Sequence, residues 1–364
     1  ISIHNMPIFD AINRDGKIRI INCRHEMAAT HAADGYARAT GKIGVAIAST
    51  GPGTTNTVTG LYEAHYASSP VLLITGQAET SFYGKAQGYV HEAEQQLPML
   101  ETVTRRTESI SAADEIEAAI LEVAAEISNG RPSSGAIEIP IDLQYAKVTP
   151  SDQELRVIET ELPAIDAAIE LIEATQRRII IAGGGVISSD AVNDLVTLAE
   201  NLGAPLFTTH NGRGAIPEDH PLCVGNLYQA KSMHSAMIQA DLTIAIGTRF
   251  QVGVGGSGAK LRPAGKLLHI DIDADMINRV HPADLSLIGD ARSLLQAITH
   301  AKNYETGDSG FTTQVLDAAD GLKQHLRSRL GPDYEGIMTT IRRSLPRDGQ
   351  IVRDTTVPAY NFAN

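Results

Sequence analysis

Residues 21–56 read INCRHEMAATHAADGYARATGKIGVAIASTGPGTTN, and this stretch decides the fold. A short β-branched run, Ile18–Cys23, gives way at Arg24-His25-Glu26 to a helical pattern over Glu26–Ala39. A second apolar run, Val45–Thr50, then ends in Gly51-Pro52-Gly53-Thr54-Thr55-Asn56 and opens another helix. Strand, helix, strand, helix is the rhythm of a parallel α/β sheet with right-handed crossovers. In such sheets ligands collect at the C-terminal ends of the strands, where both polar clusters fall.

The same rhythm continues outward. Strands are expected at Val71–Gly76, Ala136–Ile141, Ile179–Ala182, Pro205–Thr209, Leu242–Gly247 and Leu267–Asp273. Each run is apolar throughout, as strands covered on both faces must be. Helices are expected at Thr54–Ala67, Ala113–Ser128, Ala164–Thr175, Asp190–Leu202, Ala291–Ala301, Thr312–Leu330 and Tyr334–Ser344. The fold class is therefore α/β, built of successive doubly wound parallel-sheet domains. A polar, proline-flanked segment at 146–163 and a loop-like one at 302–311 divide the chain into 1–150, 160–305 and 306–364. The last part reads as a linker and the truncated start of a third domain, because one helix pair and one strand end cannot bury a core.

Bulk composition removes several classes of function. Apolar residues make up 43% of the 364 and charged residues 20%, which suits globular domains. The net charge of −13 repels phosphate backbones, so no nucleic-acid partner is expected. No apolar run approaches the length of a membrane span, so no membrane partner is expected either. Cys23 and Cys223 are far apart and read as buried thiols of a reducing, cytoplasmic compartment.

Three clusters could carry chemistry. Glu26 could be a helix-start acid complementing the dipole, or a proton-handling group in a cleft. His25 and His31 are six apart, so a His-Glu-x-x-His zinc site is excluded and no metal ligand is assigned. Gly51–Asn56 could hold a polar group on its backbone N–H groups, or be a tight turn. Gly183-Gly184-Gly185 follows a strand, but the next strand ends in Thr208-Thr209-His210, without the carboxylate that reads an NAD ribose. These glycines serve another nucleotide or a turn.

The segments RHEMAATHAADGYARATGKIGV, STGPGTTNTVTGLYEAHYASSPVLLITGQ and GAIEIPIDLQ resemble the pyrimidine-binding domain of thiamine diphosphate-dependent enzymes. The branch resembled contains acetolactate synthase, pyruvate oxidase and the 2-hydroxyacyl lyases. IIIAGGGV, NGRGAIPEDHP, ADLTIAIGTRF and LLHIDID are similar to that branch's central, Rossmann-like domain, so that the resemblance runs from about Ile3 to Ala301.

The resemblance gives Glu26 a role. It would bond the aminopyrimidine ring nitrogen and favour the imino tautomer, whose nitrogen takes the proton from the thiazolium carbon. Pro52, Gly53 and Asn56 match the turn beside that ring, and Gln77 closes a neighbouring strand. His91 stands where acetolactate synthases carry a Phe-Gln-Glu segment. With Gln87 as a second candidate, it is the expected proton-transfer group, the alternative being an exposed loop histidine. Gly183, Gly184, Gly185, Arg249 and Asp271 match positions that hold FAD, or another adenine nucleotide, in some relatives. The segment GNLYQAKSMHSAM departs from the synthase pattern there.

The resemblance further implies Mg2+ bound with the diphosphate in a third domain, whose Gly-Asp-Gly motif does not occur here, so weak cofactor binding is expected of this chain. It implies a homodimer or homotetramer and a 2-oxo acid or aldehyde substrate. The activity implied is acetolactate synthase-like decarboxylation with carboligation. A 2-hydroxyacyl or 2-hydroxyketone lyase and a non-catalytic nucleotide-binding protein are the alternatives.

Overall fold

Parallel strands covered by helices on both faces account for most of the apolar runs. The computed structural model describes residues 2–149, 151, 153–156, 161–226, 230–251, 263–349 and 351. It divides into two units, Ile1–Glu159 and Thr160–Asn364.

The first unit holds β1 (Gly44–Ala48), β2 (Val71–Gln77), β3 (Arg106–Ser109) and β4 (Ser134–Pro140), all parallel and ordered β1-β2-β4-β3. Around them lie α1 (Met6–Asp15), α2 (Glu26–Thr40), α3 (Pro52–Thr55), α4 (Val58–Ala67), α5 (Gln96–Glu101) and α6 (Ile116–Ser128). Alternate residues of β2 point to opposite faces. Val71 and Leu73 join Leu61, Leu100 and the alanines of α2, whereas Leu72 joins Val123, Ile127 and Ile137. Helix α2 lies close on β1 because Gly44 has no side chain; a methyl there would overlap the Ala33 carbonyl.

The second unit holds β5 (Arg178–Ala182), β6 (Leu206–Thr208), β7 (Cys223–Gly225), β8 (Leu242–Ile246), β9 (Lys266–Asp271) and β10 (Leu285–Ile288), ordered β10-β9-β8-β5-β6-β7 and parallel throughout. Its helices are α7 (Asp166–Glu173), α8 (Gly184–Ser188), α9 (Val192–Leu202), α10 (Lys231–Met237), α11 (Ala291–Ala301), α12 (Ser309–Leu330) and α13 (Pro332–Ser344). Ile180 packs with Leu195, Leu198 and Leu294 on one face, and Ile179 and Ile181 pack with Phe207 and Phe250 on the other.

Four expectations change. Ile18–Cys23 forms no strand: α1 ends on Gly16 in the left-handed conformation, and the following residues run along the surface with Ile18 and Ile21 each 63% exposed. No partner strand among the described residues pairs with it, so apolar character alone does not make it a strand. Cys23 is consequently exposed, and only Cys223 is buried. Helix α12, expected in a linker, sends Phe311, Val315 and Ala319 into the core of the second unit. Strands β3, β7 and β10, too short to stand out in sequence, complete the sheets. Residues 227–229 of the GNLYQAKS segment and the expected strand end at 353–356 lie outside the described residues.

Candidate functional site

Glu26 is the first residue of α2, and His25 caps that helix by accepting the Met27 N–H on Nδ1 at 3.2 Å. The partner cluster comes from the end of β1. Gly51 adopts φ 60°, Pro52 starts the single turn of α3, and Asn56 closes it. Asn56 Nδ2 donates to Glu26 Oε2 at 3.1 Å. A Cβ on Gly53 would lie 3.8 Å from Glu26 Oε1 and 2.9 Å from the Ser49 Cβ, so only glycine keeps the space beside that oxygen clear. Glu26 is half-buried. A carboxylate with one oxygen fixed and the other facing an open glycine turn can exchange a proton with a ring nitrogen placed there.

Beneath the turn lies a polar network that sequence reasoning misses. Gln96 is buried, and every hydrogen-bonding position of its amide is used. Its Oε1 accepts the Gly51 N–H at 2.8 Å and the Thr50 hydroxyl at 3.2 Å. Its Nε2 donates to the Gly76 carbonyl at 3.1 Å and to Glu138 Oε1 at 2.6 Å. Gln77 Nε2 donates to the same Glu138 oxygen at 3.2 Å, and the Tyr83 hydroxyl donates to Glu138 Oε2 at 3.3 Å. Glu138 is fully buried in β4. Burial pushes its pKa up, and the hydrogen bonds from Gln96, Gln77 and Tyr83 oppose that rise without cancelling it. Burial, followed by the nearby Glu138 charge, pushes the Tyr83 phenol up to about 12. The sequence signal was present: Glu138 is the lone charge in the strand Ser134–Pro140, otherwise small and apolar.

His91 and Gln87 lie on the loop after β2, both exposed. His91 has φ 60°, and its carbonyl accepts the Thr50 hydroxyl at 3.4 Å. That carbonyl packs so near Gly51 that a Cβ there would come within 2.9 Å of it. The His91 ring lies 5.7 Å from that of buried His4. Burial, then the His91 charge, lowers the His4 pKa. The structure thus sets Glu26, Gly53, Asn56 and the His91 backbone around one turn, and leaves Gln87 on the loop surface.

In the second unit the strand order reverses between β5 and β8, the place where such sheets open a binding crevice. Here two glycine turns occupy it. The Gly183 N–H donates to the Ile246 carbonyl at 2.8 Å and the Gly185 N–H to the Gly247 carbonyl at 3.0 Å. A Cβ on Gly185 would lie 2.6 Å from Gly247 Cα, and one on Gly183 would overlap the Gly247 oxygen. Gly183–Gly185 thus pack two strand ends together. Half-buried Arg249 follows β8, and buried Asp271 ends β9, where it accepts the Asp273 N–H at 3.0 Å. Among the described residues no helix is long and apolar enough to cross a membrane, and no group of three His, Cys, Asp or Glu side chains could hold a metal ion.

A parallel α/β unit with a carboxylate beside a glycine turn at the strand ends is followed by a second doubly wound parallel unit, the architecture of multidomain α/β proteins. The family model for the thiamine pyrophosphate enzyme N-terminal TPP binding domain matches residues 1–118, and that for the thiamine pyrophosphate enzyme central domain matches residues 165–298. The chain belongs to the thiamine pyrophosphate enzyme family. It is 35% identical to a probable acetolactate synthase large subunit of Methanocaldococcus jannaschii, over 81% of this chain and 51% of that protein. It is 32% identical to the acetolactate synthase large subunit of Corynebacterium glutamicum, over 87% of this chain and 52% of that one. A probable 2-ketoarginine decarboxylase of Pseudomonas aeruginosa is 31% identical over 99% of this chain and 65% of its own length. The chain spans about half the length of the acetolactate synthases it matches.

Proposed function

We propose that the full-length protein decarboxylates a 2-oxo acid and joins the remaining fragment to a second carbonyl compound, as an acetolactate synthase-like, thiamine diphosphate-dependent enzyme. The observation that carries this reading is the Asn56–Glu26 pair, which fixes Oε2 and turns Oε1 toward the space Gly53 leaves clear, in a chain of this family. That open oxygen and the absent Cβ suit the edge of an aminopyrimidine ring. Thiamine diphosphate, when bound, supplies the heterocycle that stores the electron pair released as carbon dioxide leaves. Glu26 Oε1 passes a proton to and from the ring. Asn56 holds the carboxylate in place, and Gly51-Pro52-Gly53 would form the wall beside the bound ring. His91 and Gln87, on the loop that covers this turn, are the candidates for later proton transfers.

Several finer features belong to the same proposal and take their support from the family. They are Mg2+ with the diphosphate, a homodimeric or homotetrameric assembly and a cytoplasmic location. An FAD or adenine nucleotide near Arg249 and Asp271 is a further part of it, supported by their place at the C-terminal ends of adjacent strands.

The test adds thiamine diphosphate, Mg2+ and a panel of 2-oxo acids to the full-length protein and scores carbon dioxide and ligated product separately. Both are expected. Glu26→Gln is expected to lower kcat at least about 100-fold with the circular dichroism spectrum unchanged. Near-wild-type turnover by that variant, or no carbon dioxide from any acid, overturns the reading. Carbon dioxide without ligated product favours a second reading, simple decarboxylation. The near-complete coverage of this chain by the 2-ketoarginine decarboxylase match supports that alternative.

A further inference from the structure

Glu138 has no place in the chemistry above, yet it is a fully buried carboxyl group. It lies in a strand flanked by Ile137 and Ile139, and its hydrogen-bond partners among the described residues are neutral. A lone carboxyl in such a place is tolerated only when donors converge on it, and Gln96, Gln77, Tyr83 and Ser109 do.

We propose that Glu138 is a positioning residue for the cofactor turn: by accepting from Gln96 Nε2 beside the Gly76 carbonyl, it locks the Gln96 amide in place, and so holds Gly51 where Asn56 can reach Glu26. The chain of contacts is continuous. Glu138 Oε1 takes the Gln96 amide N–H at 2.6 Å, Gln96 Oε1 takes the Gly51 N–H at 2.8 Å, and five residues later Asn56 Nδ2 donates to Glu26 Oε2. If the Gln96 amide were reversed, its NH2 would face the Gly51 N–H and its oxygen would face the Gly76 carbonyl and Glu138. Each contact would then set donor against donor or acceptor against acceptor. One orientation is compatible with the network: the Gly51 N–H and the Gly76 carbonyl require it, and the acceptor at position 138 reinforces it.

The requirement is for an acceptor, not for a charge. Glu138→Gln keeps a carbonyl oxygen for Gln96 and Gln77 while its NH2 faces the Tyr83 oxygen, so it is the conservative variant. Glu138→Leu keeps the volume and removes the acceptor. Gln96→Met removes the link itself and serves if Glu138→Leu does not fold.

The inference rests on the reading of Glu26 given above, and the experiment separates the two. In the full-length protein without cofactor, amide hydrogen exchange of the 50–56 segment is measured for each variant. In the loaded enzyme, kcat and the KM for the 2-oxo acid are measured. Glu138→Leu and Gln96→Met are each expected to speed exchange of that segment at least tenfold and to lower kcat at least tenfold, with KM within twofold. The double variant should lose no more than either single one, because both changes break one link. Glu138→Gln should behave as wild type.

Unchanged exchange and unchanged kcat in Glu138→Leu or Gln96→Met overturn the inference. So does a loss in Glu138→Gln equal to that in Glu138→Leu, which would make charge the requirement. Faster exchange spread over the whole first unit also overturns it, since that is general destabilisation. If Glu26→Gln keeps full turnover while the 50–56 segment still loosens in Glu138→Leu, the catalytic reading of Glu26 falls and the positioning claim survives.

Discussion

Glu138 shows how a single buried side chain contributes to the pH response of its domain. Burial raises its pKa above the usual value of 4.5, so the folded protein binds its proton more tightly than the unfolded chain does. The sign follows. The contribution to stability is fully present below about pH 4.5 and is lost as pH rises through the folded value. Wild-type protein is therefore expected to lose Tm relative to Glu138→Gln as pH rises above about 4.5. Parallel profiles of the two proteins in a thermal melt series would contradict this. At the same scale, Glu26 is conspicuous in the sequence because it opens a helical pattern directly after an apolar run, although that run proves not to be a strand. Gln96 is not, because QQLPML carries no spacing signal and its meaning depends on Gly51, forty-five residues away.

Elements were legible where their pattern is long and their partners are close in sequence. The core strands β2, β4, β5 and β8 and the helices α2, α9 and α11 lie where apolar periodicity puts them. Ile18–Cys23 misled because strand propensity is realised only against a neighbour. The Gly183–Gly185 turn was legible as glycine-rich but not in purpose, since its partner Gly247 arrives from another strand. That packing gives a prediction. Gly183→Ala places a methyl group into the Gly247 carbonyl, with backbone on both sides and nothing flexible to yield. The expected loss is about 3 kcal/mol, or a Tm fall of roughly 6–12 °C for a unit of this size. A urea melt showing less than about 0.5 kcal/mol would mean that the turn relaxes freely.

Over the whole molecule, the excess of acidic groups acts as one field. With a net charge of −13 the chain is expected to leave the anisotropy of a labelled DNA duplex unchanged at physiological salt, and saturable binding would contradict that. The alternation of strands and helices and the change of composition near residue 150 were readable from one sequence. The fate of the segment after residue 306 was not. Phe311, Val315 and Ala319 look like the apolar stripe of any surface helix until the sheet that receives them is known.

The fully committed amide of Gln96 also makes this turn vulnerable to chemical ageing. Hydrolysis of that side-chain amide, with a water consumed and ammonia released, would raise its mass by about one dalton and leave the fold's outline intact. It would also place two carboxyl groups against each other in a dry interior, where one of them must keep its proton. The Gly76 carbonyl would lose its donor at the same moment. An old preparation could therefore lose activity at a residue that need never touch substrate.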